Sequence, residues 1–324
     1  MKSSRLLTAY FSPTGTTQKI AHTVAEGIAY PNQDIDLSIP QKMEEISEDT
    51  VLLAVVPVYG GRVPAVALKR MSQMRGNGQN AVAVAVYGNR EFEDALLELK
   101  NTMEDIGFRV IAAAAFIAEH SIVRSIAAGR PDEDDLGTAR EFGAQVAEKL
   151  SKDDRPSAVQ VPGNMPYREF GGMPAHPKAG KACIKCGLCA KRCPIGAIPT
   201  EHPDTTDPEK CITCMRCVAV CPKKARSLPA PMLLASKTML SESGRTQKTS
   251  NLPLNCRSKM RKARAVEFDG TGLLSPLAQN FAIHLLLLPL KPLHHQRDVI
   301  PGLELGVLML VGVVAHTHRA VRQV

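Results

Sequence analysis

At 324 residues with a formal net charge of +8 and only 4% aromatic residues, the chain is long enough to bury a core and too long for one ordinary domain, so two domains with extensions are expected. The charge is uneven: residues 232–324 hold 12 Lys and Arg against 5 Asp and Glu, so +7 of the +8 lies there. The first 231 residues are nearly neutral and carry no aromatic-studded basic patch, which argues against nucleic acid as a partner of the main body. The start, "MKSSRLLTAYF", has a very short apolar run with no small-residue cleavage pattern after it, which reads as the first strand of an uncleaved cytoplasmic protein. In that setting the eight cysteines between Cys183 and Cys221 point to metal rather than disulfides. Cys256, alone in the tail, reads as a free thiol.

In chain order, "LLTAYF" (6–11), "IDLSI" (35–39), "VLLAVV" (51–56), "AVAVAV" (81–86) and "RVIAAAAFIA" (109–118) read as strands, and 16–28, 64–74, 91–106 and 132–151 as helices. Ile20, Val24 and Ile28 recur at helical spacing, Pro64 suits a first helical turn and "DEDD" suits a helix N-terminus. Continuous apolar strands alternating with helices imply parallel crossovers. The expected fold over residues 1–155 is therefore a doubly wound α/β sheet of five parallel strands, with ligands beyond the strands' carboxyl ends. Residues 156–178, rich in Pro and Gly, read as a partly ordered linker. Residues 179–231 hold a repeat, "CIKCGLCAKRCPIGAI" and "CITCMRCVAVCPKKAR", offset by 28 residues, expected to form a small α+β domain. Residues 232–324 read as a disordered tail without a recognised domain. Its runs "LLLLPL" and "LELGVLMLVGVVA" fall short of the roughly 20 residues of a spanning helix, so no membrane role is expected, and its histidines at 284, 294, 295, 316 and 318 lack ligand spacing.

The loop "SPTGTT" ends the first strand and opens the first helix. Backbone N–H groups and the helix dipole meet there, the hydroxyls of Ser12, Thr14, Thr16 and Thr17 can add donors, and Gly15 allows close approach, which suits one phosphate. With no Lys inside the loop and no three-glycine fingerprint, neither a nucleoside triphosphate nor a dinucleotide fits as well. The alternative is that Ser and Thr merely cap a helix. "PVYGGRVP" and "YGNREFED" end the third and fourth strands at the same sheet edge, each offering an aromatic with glycine beside it, as a planar ring would need.

At these residues the chain resembles the flavodoxin-like family, which binds FMN. The resemblance implies that Ser12, Thr14, Gly15, Thr16 and Thr17 hold the phosphate, with Tyr59, Gly60, Gly61, Tyr87, Gly88 and Asn89 around the ring. Pro13 departs from the commonest form of that loop. Arg62 and Arg90 are cationic neighbours that would raise the flavin potential, grip a substrate, or stand as exposed loop charges. Glu119, His120 and Ser121 end the fifth strand as a polar loop, with an acid–base role for His120 as the sharper alternative.

Cys183, Cys186, Cys189 and Cys193 before Pro194, and Cys211, Cys214, Cys217 and Cys221 before Pro222, follow the two-cluster iron–sulfur spacing, in which each fourth cysteine ligates the other cluster. Cys183, Cys186, Cys189 and Cys221 are thus expected around one 4Fe-4S cluster and Cys211, Cys214, Cys217 and Cys193 around the second, with Ile184, Ile195, Ile198 and Ile212 as an apolar shell. Paired zinc sites are the alternative, since four sulfurs also bind zinc. The segment resembles bacterial two-cluster ferredoxins, and residues 1–235 resemble flavodoxin–ferredoxin fusions of the iron–sulfur flavoprotein type.

The resulting expectation is an electron-transfer oxidoreductase linking two 4Fe-4S clusters to FMN in a reducing, anaerobic cytoplasm, with a redox protein or small reducible substrate as partner and a homodimer allowed. No catalytic residue stands out. The rivals are a flavin-free electron-delivery module docking on a larger enzyme and a redox sensor whose clusters alter partner binding.

Overall fold

Apolar runs with no polar face are stable only between two covering layers. In a computed structural model of the chain, which describes residues 3–42, 45–153, 156–244 and 252–254, such runs form the centre of a sheet. Along the chain come β1 (Arg5–Tyr10), α1 (Thr16–Ile28), β2 (Asn32–Asp36), β3 (Thr50–Pro57), α2 (Ala65–Met71), β4 (Asn80–Tyr87), α3 (Ala95–Asp105), β5 (Arg109–Ile117) and α4 (Glu133–Lys152). The five strands are parallel in the order β2-β1-β3-β4-β5. This is the expected flavodoxin-like fold, with its switch point between β1 and β3.

The strands feed two cores. Leu6, Leu53, Val55, Val84 and Phe116 pack with α1 and α4, while Leu7, Leu52, Ala54 and Ala83 pack with α2 and α3. Ile111 is an extra residue in the β4–β5 register, where Ala81 pairs with Val110 and Val82 with Ala112. Its insertion puts Ile111 and Ala112 in the same core. Reciprocal glycines bring α1 and α4 close: a Cβ on Gly27 would lie 2.1 Å from the Arg140 carbonyl oxygen, and one on Gly143 2.2 Å from that of Val24.

Three elements differ from expectation. The second strand lies at Asn32–Asp36 instead of 35–39. It is an edge strand paired only with β1, so its polar residues keep contact with water. Helix α3 starts at Ala95 instead of Glu91, because Glu93 takes a left-handed φ of 45° that a helix cannot contain. The tail expected from residue 232 to lack structure begins inside α7 (Ala230–Gly244). A strand at Leu252–Leu254 then pairs antiparallel with Ala113–Ala115 of β5. Cys256, the tail histidines and both apolar tail runs lie outside the described residues. Among the described residues no helix is long and apolar enough to cross a membrane.

The cysteine segment contains β6 (Lys178–Ala179), α5 (Leu188–Lys191), α6 (Arg216–Ala219) and β7 (Arg226–Ser227), with β6 and β7 antiparallel. It belongs to the same compact unit as the sheet. The stretch that joins them is tied down at several points. Val159 donates its N–H to Val110 O at 3.0 Å. The buried Asp94 carboxylate accepts the Asn164 N–H (2.8 Å), the Asn164 Nδ2 (3.1 Å) and the Arg168 N–H (2.7 Å). Asn101 Nδ2 donates to the Tyr167 hydroxyl at 2.8 Å, and the Arg62 guanidinium lies 5.0 Å above the Tyr167 ring. Burial opposes ionisation of Asp94, but the N–H groups of Arg168 and Asn164 outweigh it and hold the carboxyl below its ordinary value.

Asp94→Asn turns an amide NH2 toward N–H donors and should cost about 2 kcal/mol or more. Limited trypsin digestion checks it: the variant is expected to be cut after Arg168 under conditions that leave the wild type intact there.

Candidate cofactor sites

The cysteine repeat is also a repeat of backbone shape. Residues in the left-handed region recur at the 28-residue offset: Lys185 (φ 53°) with Thr213 (52°), Gly187 (73°) with Met215 (62°), and Gly196 (64°) with Lys224 (47°). The reversals curl each Cys-x-x-Cys run around a centre. Hydrogen bonds repeat as well: the Ala197 N–H donates to Cys193 Sγ at 3.3 Å and the Ala225 N–H to Cys221 Sγ at 3.2 Å.

One cavity is lined by Cys183, Cys186, Cys189 and Cys221. A second is lined by Cys193, Cys211, Cys214 and Cys217. Each takes three cysteines from one half and the fourth from the other. That is the arrangement that the two-cluster iron–sulfur spacing calls for. Burial pushes the Cys214 thiol up to about 12 and that of Cys217 to about 11, the latter against the pull of the Arg226 guanidinium. Arg216 lines the second cavity, and its Nε and Nη1 are buried without a hydrogen-bond partner. Unpaired cationic donors beside four thiols fit an anionic thiolate-bound group.

The cavities differ in surroundings. Cys186 is exposed, and Ile184, expected to shield its cluster, keeps 59% of its surface open. Cys214 and Cys217 are buried. Ile212, lining the second cavity, packs on the core that α2 and α3 share. Arg70 of α2 donates to the carbonyls of Leu37 and Pro194, and Arg216 lies 4.0 Å from Asp36 of β2. Tyr59, partly buried in the same core, has its phenol held well above the ordinary value, first by burial and then by Cys214.

At the switch point, Ser12 is held by its own N–H, which donates to Ser38 Oγ at 3.1 Å, and its Oγ accepts the Gln18 N–H at 2.9 Å. Helix α1 follows Gly15 (φ 97°), Ser12 Oγ caps its first turn through the Gln18 N–H, and nothing lies within 4 Å of where a Cβ on Gly15 would sit. Thr14 and Gly15 are exposed, Thr16 is partly buried and Thr17 is buried. Ser12 thus plays the capping role given as the alternative reading, while the open approach at Gly15 fits an anion at the helix start.

The loop after β3 is a tight turn in which Tyr59 and Arg62 exchange backbone hydrogen bonds of 2.9 and 3.1 Å across Gly60 (φ 58°) and Gly61 (84°). Arg62 is committed: it donates to the buried Glu98 carboxylate at 2.9 and 2.6 Å and to the Arg168 carbonyl at 2.7 Å. Arg90 is paired with Glu93 at 3.0 and 2.7 Å, and Glu93 also pairs with Arg168. Tyr87 is turned inward at 8% exposure, edge-on to Phe92 with centroids 5.5 Å apart, and burial pushes its phenol up to about 12. Asn89 sits at φ 59° with its Oδ1 buried and unpartnered, an acceptor that fits an imide N–H such as a flavin presents.

Gly88 faces the His120 ring, whose Cδ2 lies 2.5 Å from where a Cβ would be. His120 Nδ1 accepts the N–H groups of Ile122 (3.2 Å) and Val123 (3.1 Å). The neutral ring therefore carries its proton on Nε2. Burial, and secondarily Arg90, lowers its pKa to about 4. Sequence reasoning missed Phe170, whose ring lies against Gly60, and Arg168, which lies against Gly61. Their only signal was "YREF", two aromatics in a Pro/Gly-rich stretch. Arg216 was missed too, hidden as an ordinary spacer residue between cysteines.

Residues 182–225 match the family model described as a 4Fe-4S dicluster domain. Over 47 residues the chain is 53% identical to one component of the ion-translocating oxidoreductase complex of Methanosarcina acetivorans, a match spanning 14% of this chain and 18% of that protein. Among solved structures, an archaeal flavodoxin is 16% identical, with 45% of this chain and 99% of that one covered and a TM-score of 0.34. Flavodoxin 1 of Bacillus cereus is 17% identical, with 44% and 95% covered and a TM-score of 0.32.

An imidazole NMR titration should show His120 neutral as the Nε2–H tautomer throughout pH 7 to 5. Between 6.5 and about 4 the unfolded chain binds the extra proton, so stability falls as pH drops through that window. His120→Asn keeps an acceptor for the Ile122 and Val123 amides and is expected to flatten that dependence in urea unfolding.

Proposed function

We propose that this chain, which joins a flavodoxin-like domain to a 4Fe-4S dicluster ferredoxin domain, carries electrons internally between two 4Fe-4S clusters and a flavin mononucleotide at the switch point. The observation that carries this reading is the contact between the two parts: Ile212, which lines the second cysteine cavity, packs against the same core as Tyr59 of the loop after β3. A ring held on that loop would sit next to the second cluster without either part having to move.

The clusters supply one-electron steps, and a bound flavin supplies both one- and two-electron chemistry. The chain's residues bind, orient and exclude water. Gly15, Thr16 and Thr17 would hold the phosphate with Thr14, and Ser12 keeps the loop in shape through Gln18. Asn89 Oδ1 would accept from the ring edge, Tyr59 and the Gly60–Gly61 turn would flank the ring, and Gly88 would let it approach His120. His120 presents a fixed Nε2–H donor toward that loop. Tyr87 supports the loop from behind through Phe92. Arg62, tied to Glu98, braces the turn and is not free to grip a substrate.

A second reading is favoured by Phe170. Its ring already covers Gly60, as it would in a flavin-free module that delivers electrons to a larger enzyme, and then the α/β part serves only as a dock.

Anaerobic purification with iron, sulfide and FMN quantified on one sample separates the two: about eight irons with one flavin supports the internal path, and the same iron with no flavin after reconstitution leaves the delivery module. Asn89→Ala should weaken FMN about tenfold by loss of one hydrogen bond, read by flavin fluorescence titration. Cys221→Ser, although in the second repeat, should disturb the cluster held by Cys183, Cys186 and Cys189, which EPR of the reduced protein resolves.

A further inference from the structure

The cavity ringed by Cys183, Cys186, Cys189 and Cys221 opens on an unusual face. Cys186 is exposed and Ile184 stands 59% open at its rim. The backbone around it, residues 180–193 and 221–226, carries seven Lys and Arg and no Asp or Glu. Arg226 is buried and bonded to the carbonyls of Pro177, Pro203 and Thr205. Lys181, Lys185, Lys223 and Lys224 are exposed, and Lys185 and Lys223 line the cavity itself.

The fold gathers these cations. The Gly180 N–H donates to Ala225 O at 2.7 Å, which sets the turn carrying Lys181 beside the turn closed by the Lys224 N–H on Cys221 O at 3.0 Å. Asp204 approaches Lys185 at 3.1 Å. Lys181, Lys223 and Lys224 have no carboxylate partner among the described residues. At the other cavity Ile212 packs against the core that α2 and α3 share, and Cys214 and Cys217 are buried.

We propose that this face docks an acidic one-electron carrier protein, which feeds the chain through the cluster beside Cys186. The proposal rests on reading the cavity as a 4Fe-4S site. An exposed apolar residue beside a thiol, rimmed by unpaired lysines, suits a small, salt-sensitive redox interface. The lysines raise the encounter rate with an acidic partner and fix its approach. One electron leaves the reduced carrier and one enters the chain; no bond forms or breaks and no proton is required. A nucleic acid would call for an extended basic stripe with aromatics, and the rim has none.

The test uses the full-length, cluster-loaded protein. Stopped-flow mixing with a reduced, strongly acidic dicluster ferredoxin should give a second-order rate of cluster reduction that falls about tenfold or more from low to high salt. The triple variant Lys181→Glu, Lys223→Glu, Lys224→Glu should slow the low-salt rate about 10- to 100-fold and lose the salt dependence, with iron and sulfide content and photoreduction by deazaflavin unchanged. Calorimetry of the oxidised pair should show the same loss of binding. Where the Glu variant loses iron, Lys→Gln at the same three positions carries the test and should give an intermediate loss. A rate indifferent to salt and to both variants in cluster-replete protein overturns the proposal. So does capture of the chain by anionic phospholipid vesicles or a DNA duplex while the ferredoxin stays unbound. Cluster bleaching reads docking whether or not flavin is present, so a failed internal path shows itself separately, as reduced clusters with an oxidised flavin.

Discussion

The arrangement of the molecule turns on one buried carboxylate. Asp94 stands at the mouth of α3 and, instead of capping its own helix, accepts three N–H donors from residues 70 to 74 positions further on. Those bonds fix the crossing strap, which brings Tyr167 beneath Arg62 and Phe170 onto Gly60. The strap then hands its Ala175 and Pro177 carbonyls to Thr213 and Arg226 of the cysteine domain. Ordering that many residues costs conformational entropy, and a charged acceptor with several donors offsets it more strongly than neutral hydrogen bonds would.

Much of this was legible before the structure. The apolar runs of β1, β3, β4 and β5 admit water on neither face, which leaves a sandwiched parallel sheet as the economical answer. The cysteines were legible because their spacing is local: curling a few residues around a centre needs only short gaps and turns. The polar edge strand β2 was displaced by three residues, since an edge strand lacks the apolar signature that marks its neighbours. The strap was illegible, because nothing in "GNMPYREFGG" states that an aspartate some 70 residues earlier receives it. Nor could spacing reveal which cysteine set faces the sheet; that depends on Ile212, Arg70 and Arg216 finding partners across the fold.

The site divides along the same line. The loop at Ser12 is a local motif, and the cap that Ser12 Oγ gives Gln18 follows from its own residues. The ring-side loops depend on tertiary neighbours: the aromatic expected at Tyr87 is withdrawn into packing, and Phe170, from outside the sheet's sequence, takes a place on Gly60. Both arginines that sequence left free are neutralised, Arg62 by Glu98 and Arg90 by Glu93. The cationic character expected at the ring is thus largely cancelled, and the unpaired guanidinium nitrogens lie on the cysteine side, at Arg216.

The matched left-handed residues of the two cysteine halves do not make those halves alike. A perfectly symmetric pair would treat traffic from either end alike. Here the same backbone template holds Gly187 at the outward half and Met215 at the inward one, and Met215 accepts an unfavourable φ in order to pack with Ala175 and Leu228. Solvation and hydrogen bonding around sulfur set the reduction potential of such centres, so two copies of one template with different neighbours need not be isoenergetic. The broken symmetry makes the two halves of the duplicated module chemically distinct, although one backbone template builds both.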